Sequence, residues 1–347
     1  MLKKLLSYAK GYRFYAFLSP LTIVFEVLIE VAIPFLVSVI VDCGINGIPL
    51  SEKDGFVVGL LIKMGFGEKQ GLELVTSTGI LMVIMACFSL FCGASAAYFA
   101  AKAGMGFGKN LRGAMFGKIQ DYSFSNVDKF STGSLITRMT TDVNMIQNAF
   151  MMAIRMLIRS PLMFTMAIAM AVDINKKLSL VFIIVGPALL AALVFIGSKA
   201  HPRFERMFKK YDKFNTSIQE NLISIRVVKA FVRSKHEKEK FRISNDELKA
   251  ASIFAEKLII LNSPIMMVAV YTCIISILWF GSKLIFVGSM QLGDLMSFIT
   301  YVQQILMSLM MISMIFVMSV MARASMKRVC EVLDEKPTIK DDTADEN

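Results

Sequence analysis

Six apolar stretches, each long enough to cross a bilayer, constrain this chain more than any other feature; they cover residues 14–41, 74–101, 145–172, 178–197, 258–281 and 295–321. A hydrocarbon core about 30 Å thick takes about 20 residues of apolar helix. With no water there to pair with the backbone, a crossing segment must satisfy its own hydrogen bonds, which a helix does. Hydrophobic residues make up 55 % of the sequence, more than a soluble enzyme core needs. The expected fold class is therefore an all-α membrane protein with six transmembrane helices.

Ahead of the first span, Leu2, Leu5, Leu6 and Ala9 fall at helical spacing beside Lys3, Lys4 and Lys10. That pattern predicts an interfacial elbow helix within residues 1–13, lying on the membrane surface. The same segment imitates a secretory leader, but the run behind it carries Glu26 and Glu30 and no clear small-x-small cleavage site. The five cysteines are odd in number and scattered, which argues against a disulfide scaffold. No Cys or His pair has ligand spacing, so no metal site is expected.

Lys and Arg total 38 against 27 Asp and Glu, a net charge of +11. Thirty of the 38 lie in residues 1–13, 102–142, 199–257 and 322–347, and only six lie in the segments that alternate with these. The positive-inside rule then places both termini and both long polar loops in the cytoplasm of a multi-pass plasma-membrane protein. Orientation thus accounts for the charge, and a nucleic-acid partner is not expected.

The two long loops contain little Pro or Gly punctuation and keep helical periodicity, so the spans are expected to continue into the cytosol as stalks. At the tip of the first loop, residues 123–143 read SFSNVDKFSTGSLITRMTTDV. Ser125 with Asp128 suits a helix cap, Phe124 and Phe130 are apolar, and Arg138 and Asp142 share one helix face. In the second loop, Leu222, Ile225, Val228 and Val232 fall on one face and Arg226, Lys229 and Arg233 on another. Two readings of that helix stand: packing against its own neighbours, or docking on a partner.

Taken together these residues resemble the six-helix transmembrane domain of ABC exporters (type IV fold), closest to one subunit of the bacterial heterodimeric multidrug exporters. The resemblance covers residues 1 to about 338. It rests on STGSLITR with Asp142, ENL..IRVVKAF, RMLIRSPL (155–162), GDLMSFITYVQQI (293–305) and ASMKRVCEVLDEKP (324–337), in that order. It implies a dimer with a second half-transporter, identical or not, in which helix pairs are exchanged around one cavity. It also implies coupling helices near 124–130 and 222–230. These would contact nucleotide-binding domains through Phe124, Ser125, Asp128, Phe130, Leu222, Ile225, Arg226, Val228 and Lys229. Ser224 stands where the family usually has Gly, and Thr141 where Asn is frequent.

The implied organisation is an elbow over 1–13, a transmembrane domain over 14–330, and a linker with an acidic tail over 331–347. Exporters of this kind continue from there into an ATP-binding domain, so ATP and Mg are expected on missing or partner domains and not on this chain. AGMGFGKN (103–110) imitates a phosphate loop but has Ala103 and Asn110 where Gly and a hydroxyl belong. Gly104 with Gly108 and Gly113 with Gly117 read better as close helix packing.

Within the membrane, Glu26 and Glu30 lie on one helix face, with Pro34 following. They are either an acidic patch or protonation site facing a substrate cavity, or a pair satisfied by the backbone or by a basic side chain such as Arg155 or Arg159. Met307, Met310, Met311, Met314 and Met318 trace one side of the sixth span, a surface for varied amphipathic substrates or plain helix packing. No catalytic Ser/His/Asp arrangement is present. The sequence supports an ABC-type export permease first. An ion-coupled carrier or channel using the two glutamates, and a non-transporting membrane subunit, stand as alternatives.

Overall fold

The computed structural model describes residues 2–53 and 55–336, so most of the expected acidic tail (337–347) lies outside the described residues. The elements are α1 (Leu2–Ser7), α2 (Arg13–Val39), α3 (Phe56–Lys63), α4 (Gly71–Gln120), α5 (Phe124–Phe130), α6 (Thr132–Thr137), α7 (Val143–Ile174), α8 (Leu180–Ile223), α9 (Ile225–Ala230), α10 (Ser234–Ile260), α11 (Asn262–Phe286) and α12 (Leu292–Asp334). π-helical turns join α2 to the loop that follows it (Ile40–Ile45) and α6 to α7 (Arg138–Asp142). Six helices or fused helix runs are long and apolar enough to span a membrane. They overrun their apolar stretches: α4 alone has 50 residues, about 75 Å at 1.5 Å per residue. Chain contacts divide the molecule into two compact units, one up to Ser179 together with the chain from Ile277 on, the other Leu180–Ser276.

In the first unit α2 packs on α4, α7 and α12, and α7 on α12. Proline organises the α2–α12 seam. Pro34 has no N–H, so the carbonyl of Glu30, four residues back, loses its helical donor. Gln304 Nε2 of α12 donates to that carbonyl at 3.1 Å. Tyr301 Oη donates to the Val31 carbonyl at 2.9 Å, and Ser297 Oγ to the Pro34 carbonyl at 2.6 Å. Ser297, Tyr301 and Gln304 are spaced by four and three residues, so one face of α12 repairs the break in α2.

Small residues set the α4–α7 distance. A Cβ on Gly104 would lie 3.1 Å from Met151 Cβ, and one on Gly108 would overlap Gln147. Nothing lies within 4 Å of the corresponding positions on Gly113 and Gly117, so the second glycine pair does not serve close packing within this chain. At the N-terminal end of the bundle, Leu5 and Ala9 are buried with Phe107, Leu111, Met115 and Val329. The N-terminal helix is shorter than the 1–13 segment that the periodicity suggests. It ends at Ser7, and Gly11 at φ +88° turns the chain into α2 while Asn110 donates to the carbonyls of Tyr8 and Lys10. At the other end, the short α3, which periodicity did not indicate, buries Val58 and Leu61 with Phe35, Leu36, Val39 and Leu74.

The second unit is a long helical pair, α8 against α10, turned by α9. Its stalk is joined mostly at the surface: Phe214 meets Phe241 at 5.3 Å, Lys210 pairs with Glu247 at 2.7 Å, and Asn221 donates to Glu237 at 2.7 Å.

Replacing Gln304 with Leu leaves the Glu30 carbonyl unpaired at membrane depth. We expect a loss of about 1–2 kcal/mol, against less than about 0.5 for the exposed neighbour Gln303→Leu, read by reversible denaturation in mixed micelles. Equal stability of the two variants would mean that another group takes the role of Gln304.

Candidate functional site

The first loop tip carries α5. Its N-terminus is closed by a capping box between Ser123 and Asn126, and the Ser125–Asp128 pattern read in the sequence does not form the cap. The helix therefore starts at Phe124, which is 93 % exposed, and Ser125 and Asp128 are exposed beside it. Phe130 is half-buried, stacked on Tyr122 at 6.0 Å with the Arg138 guanidinium 5.0 Å from its ring.

Behind this tip the exit of α12 is clasped by ions. Arg138 donates to the Arg328 carbonyl at 2.7 Å and pairs with Glu331 at 3.0 Å. Asp142 accepts from Ser325 at 2.9 Å and from Arg328 Nε at 2.8 Å. Asn126 and Lys129 both reach Glu335, at 3.1 and 2.9 Å, and Lys4 pairs with Asp334. The Lys129 hydrogen bond holds the Glu335 carboxyl below its usual range. Tyr122 donates to the Val332 carbonyl at 2.6 Å, and burial pushes its phenol up to about 12. Arg138 and Asp142 thus share a face as the sequence suggests, and both spend their charge on α12.

At the second tip, α8 breaks at Ser224 and α9 follows. Leu222, Ile225 and Val228 line a cleft of about 400 Å³ with Ile218, Asn221 and Phe241 of the stalk helices. Ile225 is consequently only 37 % exposed, while Phe231 is 74 % exposed and Ile223, Val227 and Val232 also stand clear. Arg226 and Lys229 are exposed. The apolar face turned away from the stalk is therefore offset from the Leu222/Ile225/Val228 ridge. Helical spacing alone could not say which side of a two-faced turn the stalk would cover.

Both short helices end in strain. Ser131, after α5, has φ 57°, and Val232, after α9, has φ 53°. A β-branched residue in the left-handed region costs of order 1–3 kcal/mol and persists only where its surroundings hold it. We expect Val232→Gly to raise thermal stability by about 1 kcal/mol, and Val232→Ile to leave it unchanged. A glycine variant that melts lower would show the strain argument to be wrong.

At membrane depth, Arg159 of α7 reaches both acids, donating to Glu30 Oε2 at 2.7 Å and to Glu26 through its other terminal nitrogen. Gly93 of α4 makes room, since a Cβ there would stand 2.9 Å from Glu26 Oε1. Of the two readings the sequence left open, this geometry supplies the basic partner, with one guanidinium for two carboxylates. Met307, Met310 and Met314 are exposed along α12, whereas Met311 and Met318 are half-buried.

A second ionic cluster, which sequence reasoning missed, lies at the opposite end of the spans. Lys53, 6 % exposed, pairs with the fully buried Asp42 at 2.5 Å and with Asp294 at 2.9 Å, and donates to Ser38 Oγ at 3.0 Å. Asp42 also accepts the Gly293 backbone N–H at 2.6 Å. A Cβ on Gly293 would stand 2.6 Å from both Asp42 Oδ2 and the Ser38 carbonyl, so glycine is required for the approach. The cluster ties the π-turn after α2, the loop between α2 and α3, and the start of α12. Its only sequence signals were a Gly-Asp pair opening the last span and an acid just past the first.

Lys53→Met strands two carboxylates in a buried site. We expect a loss of about 3–5 kcal/mol, much of it recovered when Asp42→Asn and Asp294→Asn are added. If the triple variant is no more stable than Lys53→Met, the buried charges are not the cause.

Comparison with known proteins fits this geometry. The ABC transporter transmembrane region family profile matches residues 16–326. The chain is 32 % identical over 346 residues to the uncharacterized ABC transporter ATP-binding protein YfiB of Bacillus subtilis, covering 98 % of this chain and 56 % of that protein. It is also 32 % identical over 261 residues to Rv1273c of Mycobacterium tuberculosis, of the same description, covering 75 % of this chain and 44 % of that one. YwjA of B. subtilis, likewise uncharacterized, is 22 % identical over 341 residues. The chain spans about half the length of these curated relatives, from 44 % to 56 %. With a profile match over nearly its whole length, the chain belongs to the ABC transporter transmembrane region family.

Proposed function

We propose that this chain is the permease part of an ABC-type exporter, energised by ATP-binding domains that bind ATP and Mg outside the residues described here. Both termini and both tips lie in the cytoplasm on this reading, because most of the Lys and Arg fall on that side. It works as a dimer with a second half-transporter, of the same or a different chain. The compactness of Leu180–Ser276 as a unit of its own suits an arm exchanged between the two. The substrate is a small amphipathic molecule, taken up along the α12 methionines and the Glu26–Arg159–Glu30 group, and released outward by alternating access.

The observation that carries this reading is the pair of short helices at the stalk ends, each with an uncovered aromatic residue, Phe124 and Phe231. An aromatic side chain standing in water at the end of a rigid helical stalk is an anchor for a pocket on another protein. Seated in ATP-binding domains, the two tips would receive the push of their closure. The first tip would pass it to α12 through the Arg138, Asp142 and Glu335 contacts. The second would pass it along the α8–α10 stalk. Ser125, Asp128, Leu222, Ile225, Arg226, Val228 and Lys229 would form the supporting rims.

An ion-coupled carrier needs a carboxylate free to exchange its ion, whereas here a single guanidinium engages both candidates. That favours the ATP-driven reading.

Phe124→Asp and Phe231→Asp, in a complex reconstituted with ATP-binding domains, each place a charge in an apolar contact. We expect at least a tenfold drop in export with membrane insertion and substrate binding intact, and a smaller drop for Ile225→Asp. Export at the unmodified rate by both aromatic variants would show the tips to be passive stalk ends. Transport indifferent to ATP and driven by a proton gradient would favour the carrier.

A further inference from the structure

One face of the first unit holds a large apolar hollow. It is walled by α1, α2, α7 and α12, with Leu6, Pro20, Phe150, Leu157 and Met326 among its lining, and has a volume of about 750 Å³. Leu6 and Leu157 are exposed, so the hollow opens onto the surroundings of the chain. Its depth can be read from a neighbouring landmark. Lys102 Nζ lies 4.3 Å from the Tyr15 ring and 5.7 Å from that of Tyr98. Tyrosines with a lysine are the side chains that settle at a membrane interface. Ala16 and Pro20, next along α2, begin the wall there and carry it inward.

The lining holds a single charged residue, Arg323. Arg13 lies three residues before Ala16 and seven before Pro20, on the same face of α2, and Lys327 is one turn beyond Arg323 on α12. The acids nearest in sequence on the α12 exit are already engaged: Glu331 by Arg138, Asp334 by Lys4 and Glu335 by Lys129. Asp142 is likewise taken, by Arg328. Among the described residues Arg13, Arg323 and Lys327 are left without an ion pair; Arg323 lines the hollow, and Arg13 and Lys327 lie about one turn along α2 and α12 from residues that line it. A free inorganic anion would explain the cations and not the hollow; a neutral lipid would explain the hollow and not the cations.

We propose that this hollow binds an anionic phospholipid drawn from the leaflet that faces the cytoplasm, an acyl chain lying along α7 and the phosphate held by Arg323 and Arg13. The site rests on the membrane orientation given above and not on ATP coupling, so a chain that fails to transport still binds the lipid.

The test is native mass spectrometry of the full chain, released from micelles with equal amounts of phosphatidylglycerol and phosphatidylcholine. We expect at least tenfold preferential retention of phosphatidylglycerol. The preference should fall at least fivefold in Arg13→Ala/Arg323→Ala, persist in Arg13→Lys/Arg323→Lys, and persist in the control Lys63→Ala/Lys69→Ala. Equal retention of the two lipids by the unmodified chain would overturn the proposal whatever the variants do. So would an unchanged preference in the folded double-alanine variant. A photoreactive residue at Leu157 supplies the second readout: lipid adducts are expected, and chain-to-chain products in their place would mean that a second copy fills the hollow.

Discussion

The seam between the first and last spans depends on an unpaired carbonyl. Pro34 removes the donor that Glu30 would have had, and at membrane depth no water can replace it. Gln304 supplies the missing N–H, with Tyr301 and Ser297 bonding the turns on either side. The bend in α2 and the position of α12 are therefore one constraint. Its upper end is fixed again where Asp42 receives the Gly293 N–H and Lys53 closes over both. Between the two sets of bonds, α2 and α12 cannot part at the Asp42 end without exposing buried charge.

The end of the first unit that carries the N-terminus is held by different means. Three basic residues from three elements, Lys4, Lys129 and Arg138, meet three acids in the last turns of α12. These pairs are partly exposed and individually worth little. As a set they fix the direction in which α12 leaves the unit, alongside a tip whose outermost aromatic residue is uncovered. In the second unit no ion pair reaches α9 itself among the described residues; α9 rests on the cleft between its own stalk helices.

Much of the fold was legible because lipid imposes a length and a polarity that composition must obey. The six spans, their extension beyond the apolar stretches and the positions of the two tips could be read from apolar runs and helical spacing. What periodicity could not give was pairing across long separations. The Ser123–Asn126 cap was hidden because asparagine stood where an acid or glutamine was sought. The inward turn of Ile225 and Val228 depended on which face the stalk would cover. Lys53 looked like any loop lysine until Asp42 and Asp294, 11 and 241 residues away, were placed beside it. Glu26 and Glu30 were conspicuous in the sequence, and Arg159 was one of two candidate partners.

That last pairing has a consequence for how the protein is made. Glu26 and Arg159 are 133 residues apart, so at about 5–20 residues per second the ribosome delivers the guanidinium roughly 7–27 s after the carboxylates. In that interval the first span carries two acids and no counter-charge. An ionisable side chain at the centre of a helix costs about 2.5–3.5 kcal/mol on the insertion scale. Strong apolar flanks let α2 enter even so, but its acidic face is unfit for lipid until the third span arrives. Biogenesis therefore has a built-in order: the acidic face of the first span lacks its counter-charge until the third span arrives to complete it.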